Sequence, residues 1–215
     1  MRTKNIVISI ALTVLSVCYT LLVKFIDVDA IGPNGSEVGF SKLNGWFSNL
    51  VGSNMTIYKI TEVLGLLVIA IVLIYGCIGI YQLVKRKNLL KVDREIIVLG
   101  CFYVLMAITY VLFEKVVINY RPILIDGELE ASYPSSHTIL AICIALSSLK
   151  VSKEYFNKKY IKKINIITIV LMSLVVVGRL ISGVHWISDI IGGIIISLTL
   201  LSYFNTVYDW NKKVS

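Results

Sequence analysis

The chain has 215 residues, of which 57% are apolar, and its formal net charge is +8. Soluble domains carry roughly 45–50% apolar residues, so the excess indicates helices that face lipid. The basic residues fall in short blocks between apolar runs, which is typical of topology signals and argues against a nucleic-acid partner. The four cysteines lie far apart in the sequence and the chain has only two histidines, so we expect no disulfide framework, no metal site and no cofactor.

Six apolar runs predict an all-α integral membrane bundle of six transmembrane helices, in a single domain that covers residues 1–215. The first run, about Asn5 to Ile26, has nearly the length of a full span, and we interpret it as a retained helix rather than a cleaved signal peptide. The other runs cover about Glu62–Leu83, Ile96–Phe113, Tyr133–Leu149, Ile164–Val177 and Ile187–Phe204.

The segment 27–61, between the first two runs, is polar and contains a turn cluster at Gly32-Pro33-Asn34-Gly35. Large apolar side chains then recur at spacings of three and four residues, from Phe40 to Leu50. This spacing predicts a short amphipathic helix. Such a helix either lies on the membrane surface or packs inside an extracytoplasmic loop, and the pattern favours both equally.

Lysine and arginine blocks occur at the N-terminus, near Lys85, near Lys158 and at the C-terminus. The positive-inside rule places these blocks, and therefore both termini, on the cytoplasmic side of the cell membrane. The loops expected outside are 27–61, 115–133 and 177–185. The polar residues that topology does not explain gather at this outer end: Arg121, His137, Arg179, His185 and Asp189. The sequence therefore predicts an outward-facing active site.

The stretch between the last two runs contains Arg179, His185 and Asp189, which are costly side chains at bilayer depth and so are functional candidates. If the stretch is helical on its C-terminal side, His185 and Asp189 share one face, and the carboxylate can orient the imidazole. Arginine is suited to phosphate oxygens because its planar fork donates two hydrogen bonds at once.

The fourth run opens with Pro134-Ser135-Ser136-His137. A helix start with capping serines and an interfacial histidine explains this motif, but helix N-termini also bind anions. Arg121 alone is equally well explained as a side chain that reaches the interface. Together, two histidines, two arginines, an aspartate and a helix N-terminus predict phosphoryl transfer, where cations neutralise the transferred group.

These motifs resemble the membrane branch of the type-2 phosphatidic acid phosphatase superfamily. One family signature is Ser-Arg, five residues, His, three residues, Asp, and it matches at Arg179, His185 and Asp189, with Gly178 in place of the serine. A second, Pro-Ser-Gly-His, matches at Pro134-Ser135-Ser136-His137, with serine in place of the glycine. The resemblance covers most of the chain after residue 61.

A further signature is a lysine, six residues, then Arg-Pro. Arg121-Pro122 matches its end, whereas Glu114 stands at the lysine position and Lys115 follows one residue later. One residue rotates a helix by about 100°, so Lys115 reaches the phosphate only if the helix end is irregular or its long side chain curls back.

The resemblance implies a role for each residue. His185 is the nucleophile that forms a phosphohistidine, Asp189 orients it, and His137 is the general acid for the leaving group. The residues implied to bind the substrate phosphate are Arg121, Arg179, Lys115, Ser135 and Ser136.

The resemblance also implies a membrane-lipid substrate, either a polyprenyl diphosphate such as undecaprenyl diphosphate or a glycerophospholipid phosphate. The outward site favours the polyprenyl diphosphate narrowly. A non-catalytic lipid-phosphate-binding membrane protein with a degenerate site is the main alternative. A transporter would need charged residues near the midplane of several spans, and the sequence has almost none. The haloperoxidases of the superfamily are soluble, unlike this span-rich chain.

Overall fold

The computed structural model describes residues 2–210, which form seven α-helices joined by loops and two short 3₁₀ turns. Within these residues no β-strand is present, and extended pairing is limited to three isolated bridges. The predicted all-α class is therefore confirmed. The helices are α1 (Arg2–Phe25), α2 (Ser41–Val51), α3 (Met55–Arg86), α4 (Arg94–Lys115), α5 (Ser136–Tyr155), α6 (Lys158–Ile181) and α7 (Ile187–Asp209).

Five of these helices, α1, α3, α4, α6 and α7, are long and apolar enough to cross a membrane. The fourth predicted span corresponds to α5, which lies outside this group because serine and lysine interrupt its apolar residues. Helix α5 contacts α3, α4, α6 and α7, and it buries residues such as Cys143 and Ser147 completely. Protein therefore surrounds α5 on most sides, and it does not need a continuous apolar surface. A six-span bundle remains a prediction.

Helix α1 packs antiparallel against α7, partly through pairs of hydroxyl groups. Ser16 Oγ lies 2.7 Å from Thr199 Oγ1, and Thr13 Oγ1 lies 2.8 Å from Tyr203 Oη. In lipid, apolar surfaces gain little from association, and such interhelical hydrogen bonds contribute about 0.6 kcal/mol or more each. These pairs fix the position of α1 along α7.

The basic ends of the helices meet at one end of the bundle. Lys150 Nζ lies 2.9 Å from Asp209 Oδ2, and Arg94 Nη1 donates to the backbone oxygen of Tyr208 at 3.1 Å. These contacts join the C-terminal ends of α5 and α7 to the start of α4. The end of α4, the start of α5, the end of α6 and the start of α7 consequently meet at the opposite end of the bundle.

Helix α2 is present where the spacing of apolar residues predicts it, and it lies against the start of α7. Its buried Asn44 donates to Ser188 Oγ at 2.9 Å and accepts from the Ser188 amide at 3.2 Å. Trp46 and Leu50 on the other side are 61% and 68% exposed. The polar side of α2 therefore packs on protein and its apolar side faces outward, as expected for a helix at a membrane surface. Its location in the membrane interface remains a prediction.

Two glycines let α3 approach the neighbouring helices closely. A Cβ atom added to Gly178 on α6 would overlap Thr61 Cγ2 on α3. A Cβ atom added to Gly65 on α3 would lie 2.9 Å from His137 Cδ2 on α5. The close approach at Thr61 explains physically why glycine stands where the family signature has serine.

Candidate active site

The two central residues of the site are His185 and Asp189, which are both buried. His185 lies in the loop before α7, and Asp189 lies in the first turn of α7, so the expected shared helix face is wrong. Their interaction arises from helix capping instead: Asp189 Oδ2 accepts from the Trp186 amide at 2.9 Å and lies 3.6 Å from His185 Nδ1. This carboxylate favours a proton on Nδ1, which leaves a lone pair on Nε2.

The environment of His185 favours the neutral imidazole. Burial, followed by the positive charges of Arg121 and Arg179, holds the pKa of His185 well below its usual range. The ring is therefore uncharged at neutral pH. An uncharged ring with a lone pair on Nε2 is the form that a nucleophilic histidine requires.

Arg121 lies beside the candidate nucleophile, in the loop between α4 and α5, and is 8% exposed. Its Nη1 atom is 3.4 Å from His185 Nε2 and also 3.4 Å from the backbone oxygen of Val184. Its Nε atom forms an ion pair of 2.9 Å with Glu130 Oε2. Arg121 is thus held beside His185, where its guanidinium can bind an oxyanion.

Arg179, in the last turn of α6, is fully buried. Its Nη2 atom forms an ion pair with Glu62 Oε1, and its Cζ atom lies 4.9 Å from the centre of the Tyr58 ring. The Nε and Nη1 atoms are buried and have no hydrogen-bond partner among the described residues. Buried donors are normally paired, so this guanidinium has two donors left for an anion such as phosphate, but Arg179 does not line the cavity described below.

The start of α5 contributes His137 and Ser136. His137 Nε2 lies 3.5 Å from Glu62 Oε1, and its buried Nδ1 atom has no hydrogen-bond partner within residues 2–210. Ser136 lines the cavity described below. Ser135 occupies the N-cap position, but its hydroxyl accepts from Thr138 Oγ1 at 3.0 Å and makes no capping bond, contrary to the predicted serine cap.

A cavity of about 200 Å³ lies between α4 and α5 and reaches the candidate nucleophile. Its polar lining includes Arg121, Ser136 and His185. Its apolar lining comes from Met106, Ala107, Phe113, Ile139 and Leu140. An anion site that continues into an apolar cavity matches the two parts of a lipid phosphate, the charged head and the hydrocarbon chain.

The structure does not bring Lys115 to this cavity. Lys115 is exposed at the last residue of α4 and does not line the cavity, whereas Glu114 does. The rotation of about 100° between consecutive helical residues accounts for this difference. The sequence left open whether the Lys115 side chain reaches the phosphate. The structure gives no geometric support for phosphate binding by Lys115.

Sequence reasoning missed three polar residues of the site. Glu62 on α3 contacts both Arg179 and His137. The sequence could have indicated this residue, because a carboxylate within an apolar span is a candidate for function. Asn119 and Ser132 are buried close to the Asp189 side chain. Both lie in the irregular loop between α4 and α5, where no periodic pattern identifies them.

We expect Lys115→Ala to retain phosphate release within about twofold, because its side chain does not line the cavity. Arg121→Ala is the matched comparison, and we expect it to lower kcat/KM by about 10²–10³-fold, the usual effect of removing one donor from a developing charge. Initial rates of phosphate release by the purified variants measure both. A tenfold or greater loss of phosphate release in Lys115→Ala would indicate that this lysine does bind the phosphate.

Comparison with known proteins identifies the family of the chain. Residues 102–213, just over half of the chain, match the PAP2 superfamily. A segment of 103 residues is 31% identical to phosphatidylglycerophosphatase B of Bacillus subtilis (strain 168) and covers 47% of this chain and 48% of that protein. The alignment thus spans about half the length of this curated relative.

The fold is also similar to a crystal structure of a transmembrane PAP2-type phosphatidylglycerolphosphate phosphatase from Bacillus subtilis. The TM-score is 0.58 at 20% sequence identity, and the match covers 96% of this chain and 97% of the other. At this identity the match demonstrates a shared fold. With the family match and the transmembrane neighbour, the resemblance inferred from the motifs is confirmed: the chain belongs to the membrane branch of the PAP2 superfamily.

Proposed function

We propose that the protein is a membrane-embedded phosphatase that hydrolyses a lipid phosphate or diphosphate through a phosphohistidine on His185. The observation that carries the proposal is the position of His185. Its ring lies between the Asp189 carboxylate and the Arg121 guanidinium and lines a cavity that continues along apolar side chains. Membership of the PAP2 superfamily and the phosphatidylglycerophosphatase relative support the lipid phosphatase assignment.

In the first step, His185 Nε2 attacks the phosphorus atom, and the bond from phosphorus to the lipid oxygen breaks. Asp189 stabilises the positive charge that develops on the imidazole. Arg121 and Arg179 neutralise the oxygens of the transferred group. His137 gives a proton to the leaving lipid oxygen, so that the lipid departs as an alcohol or, from a diphosphate, as a monophosphate.

In the second step, water attacks the phosphohistidine. His137, now neutral, accepts a proton from the water as the new oxygen–phosphorus bond forms. The bond between phosphorus and His185 Nε2 breaks, and inorganic phosphate leaves. Both histidines return to their starting protonation states, so the cycle needs no metal and no cofactor.

For the substrate we propose a glycerophospholipid phosphate as the first candidate. The curated relative is named for a reaction of this class, and the cavity offers one apolar lining beside the Arg121 guanidinium. A polyprenyl diphosphate is the second candidate. It is favoured by the placement of the site at the end of the bundle opposite the lysine-rich helix ends, which the positive-inside rule assigns to the extracytoplasmic side.

A substrate panel tests the proposal. Purified full-length protein in detergent is incubated with phosphatidic acid, phosphatidylglycerophosphate, a polyprenyl diphosphate and water-soluble glycerol 3-phosphate, each with and without EDTA. We expect phosphate release from at least one lipid, little from glycerol 3-phosphate because it cannot fill the apolar lining, and no effect of EDTA. A non-catalytic lipid-phosphate-binding protein would release no phosphate from any of them.

We expect the active site to open on the extracytoplasmic side, and cysteine labelling tests this topology. In a variant without the native cysteines, Glu128→Cys in the α4–α5 loop should react with a membrane-impermeant maleimide added to intact cells. Lys159→Cys near the start of α6 is the matched control and should react only after the membrane is opened. The reverse labelling pattern would contradict both the topology and an outer-leaflet substrate.

A further inference from the structure

Glu62 is a carboxylate in contact with two of the groups that the reaction needs. The same oxygen, Oε1, pairs with Arg179 Nη2 and lies 3.5 Å from His137 Nε2. Arg179 is fully buried, whereas the side chain of Glu62 is 42% exposed. The contact therefore joins a fully buried guanidinium to a carboxylate that is partly exposed to solvent.

The position of Glu62 is set by the packing of α3 against α5 and α6. Thr61 touches α6 at Gly178, and Gly65 touches α5 at His137. Glu62 lies between these two contacts on the same helix, less than one turn from either one. The carboxylate is thus carried to the gap between the ends of α5 and α6, where the substrate phosphate must bind if Arg179 and His137 act on it.

A phosphate in this gap would compete with Glu62 for the same partners. Arg179 Nη2 is engaged by the carboxylate, while Nε and Nη1 have no hydrogen-bond partner in the part of the chain that the structure describes. His137 faces the carboxylate through Nε2, and a proton held there points at Glu62 instead of at a leaving oxygen. Two anions side by side repel each other strongly when water is largely excluded, so phosphate and the Glu62 carboxylate do not share these donors.

We propose that Glu62 is an internal anion that occupies the phosphate position in the empty site and is displaced when phosphate binds. This inference rests on the proposed function, because it concerns the same site. In the empty site, Glu62 compensates the buried charge of Arg179, which would otherwise be costly. In the occupied site, its return competes with product phosphate and favours release. Glu62 therefore lowers the affinity of the site for phosphate.

The sign of the effect separates this role from a purely structural one. If Glu62 only positioned Arg179, its removal would misplace the guanidinium and weaken phosphate binding. If Glu62 competes with phosphate, its removal strengthens binding, although the empty protein becomes less stable because the Arg179 charge loses its partner. A substitution that lowers the melting temperature and tightens phosphate binding has no purely structural explanation.

The test compares Glu62→Gln with Glu128→Gln, which removes the same charge from an exposed loop residue. Inorganic phosphate is the probe, as an inhibitor of lipid phosphate hydrolysis by purified full-length protein in detergent. We expect the inhibition constant of phosphate to fall by about tenfold or more in Glu62→Gln and to change by less than about twofold in Glu128→Gln. An unchanged or higher inhibition constant in Glu62→Gln would overturn the proposal.

A second arm keeps the test independent of turnover and of poor folding. Phosphate-induced stabilisation is measured for His185→Ala and for the double variant His185→Ala/Glu62→Gln, with Glu62→Asp as a less disruptive substitution that withdraws the carboxylate by one methylene. Tighter phosphate binding without Glu62 supports the inference even if no lipid is hydrolysed, an outcome that would refute the proposed function alone. Normal hydrolysis with no gain in phosphate binding would refute only the inference.

Discussion

Replacement of His185 by alanine is expected to lower kcat for phosphate release by about 10⁴-fold or more, since alanine cannot form the phosphohistidine. The imidazole lies next to Arg121 and lines the cavity. The measurement is phosphate release from the best lipid substrate at saturating concentration. Residual activity above about 1% of wild type would contradict a nucleophilic role for His185.

A control shows whether the loss of activity comes from the missing nucleophile or from a collapsed site. The His185→Ala protein should still be stabilised by inorganic phosphate, because Arg121 and Arg179 remain in place. Loss of that stabilisation together with activity would indicate a collapsed site instead of a missing nucleophile.

Asp189→Asn is expected to lower kcat by about 10³–10⁴-fold with a much smaller change in KM. Asparagine fills the same space and can still accept the hydrogen bond from the Trp186 amide. In that orientation the asparagine oxygen, which replaces Oδ2, also stays close to His185 Nδ1. The neutral amide, however, no longer stabilises the imidazolium charge that develops when His185 attacks phosphorus.

Asp209→Asn is the matched control for this substitution. Asp209 is the last residue of α7, at the opposite end of the bundle from Asp189, and it pairs with Lys150 in a partly exposed position. We expect its activity to stay within about twofold of wild type. If Asp189→Asn retained activity within tenfold of that control, orientation of His185 by the carboxylate would be refuted.

Elements whose own residues form a recognisable pattern could be predicted from the sequence. Long apolar runs marked α3 and α7, and charged residues next to apolar runs marked Arg179, His185 and Asp189. The structure brings these three residues near Arg121 and His137, although their placement in one catalytic reaction remains a proposal. Local signals of this kind suffice because a charge at membrane depth is rare and costly.

Features that depend on the approach of two helices could not be predicted. The contact of Glu62 with Arg179 requires α3 to pack against α6 at Gly178, and nothing in either segment specifies that distance. The sequence also did not show that α5 is contacted by four other helices, which explains why it lacks the composition of a lipid-facing span. The side on which Lys115 emerges depends on where α4 ends, which periodicity locates only roughly.

Trapping the covalent intermediate tests the central claim most directly. Wild-type protein is mixed with a lipid substrate labelled in the transferred phosphate, the reaction is stopped in alkali to preserve phosphohistidine, and the labelled peptide is identified by mass spectrometry. The proposed mechanism predicts label on His185 in the wild type and none in His185→Ala. Label on another residue, or rapid turnover with no labelled peptide at any time, would contradict it.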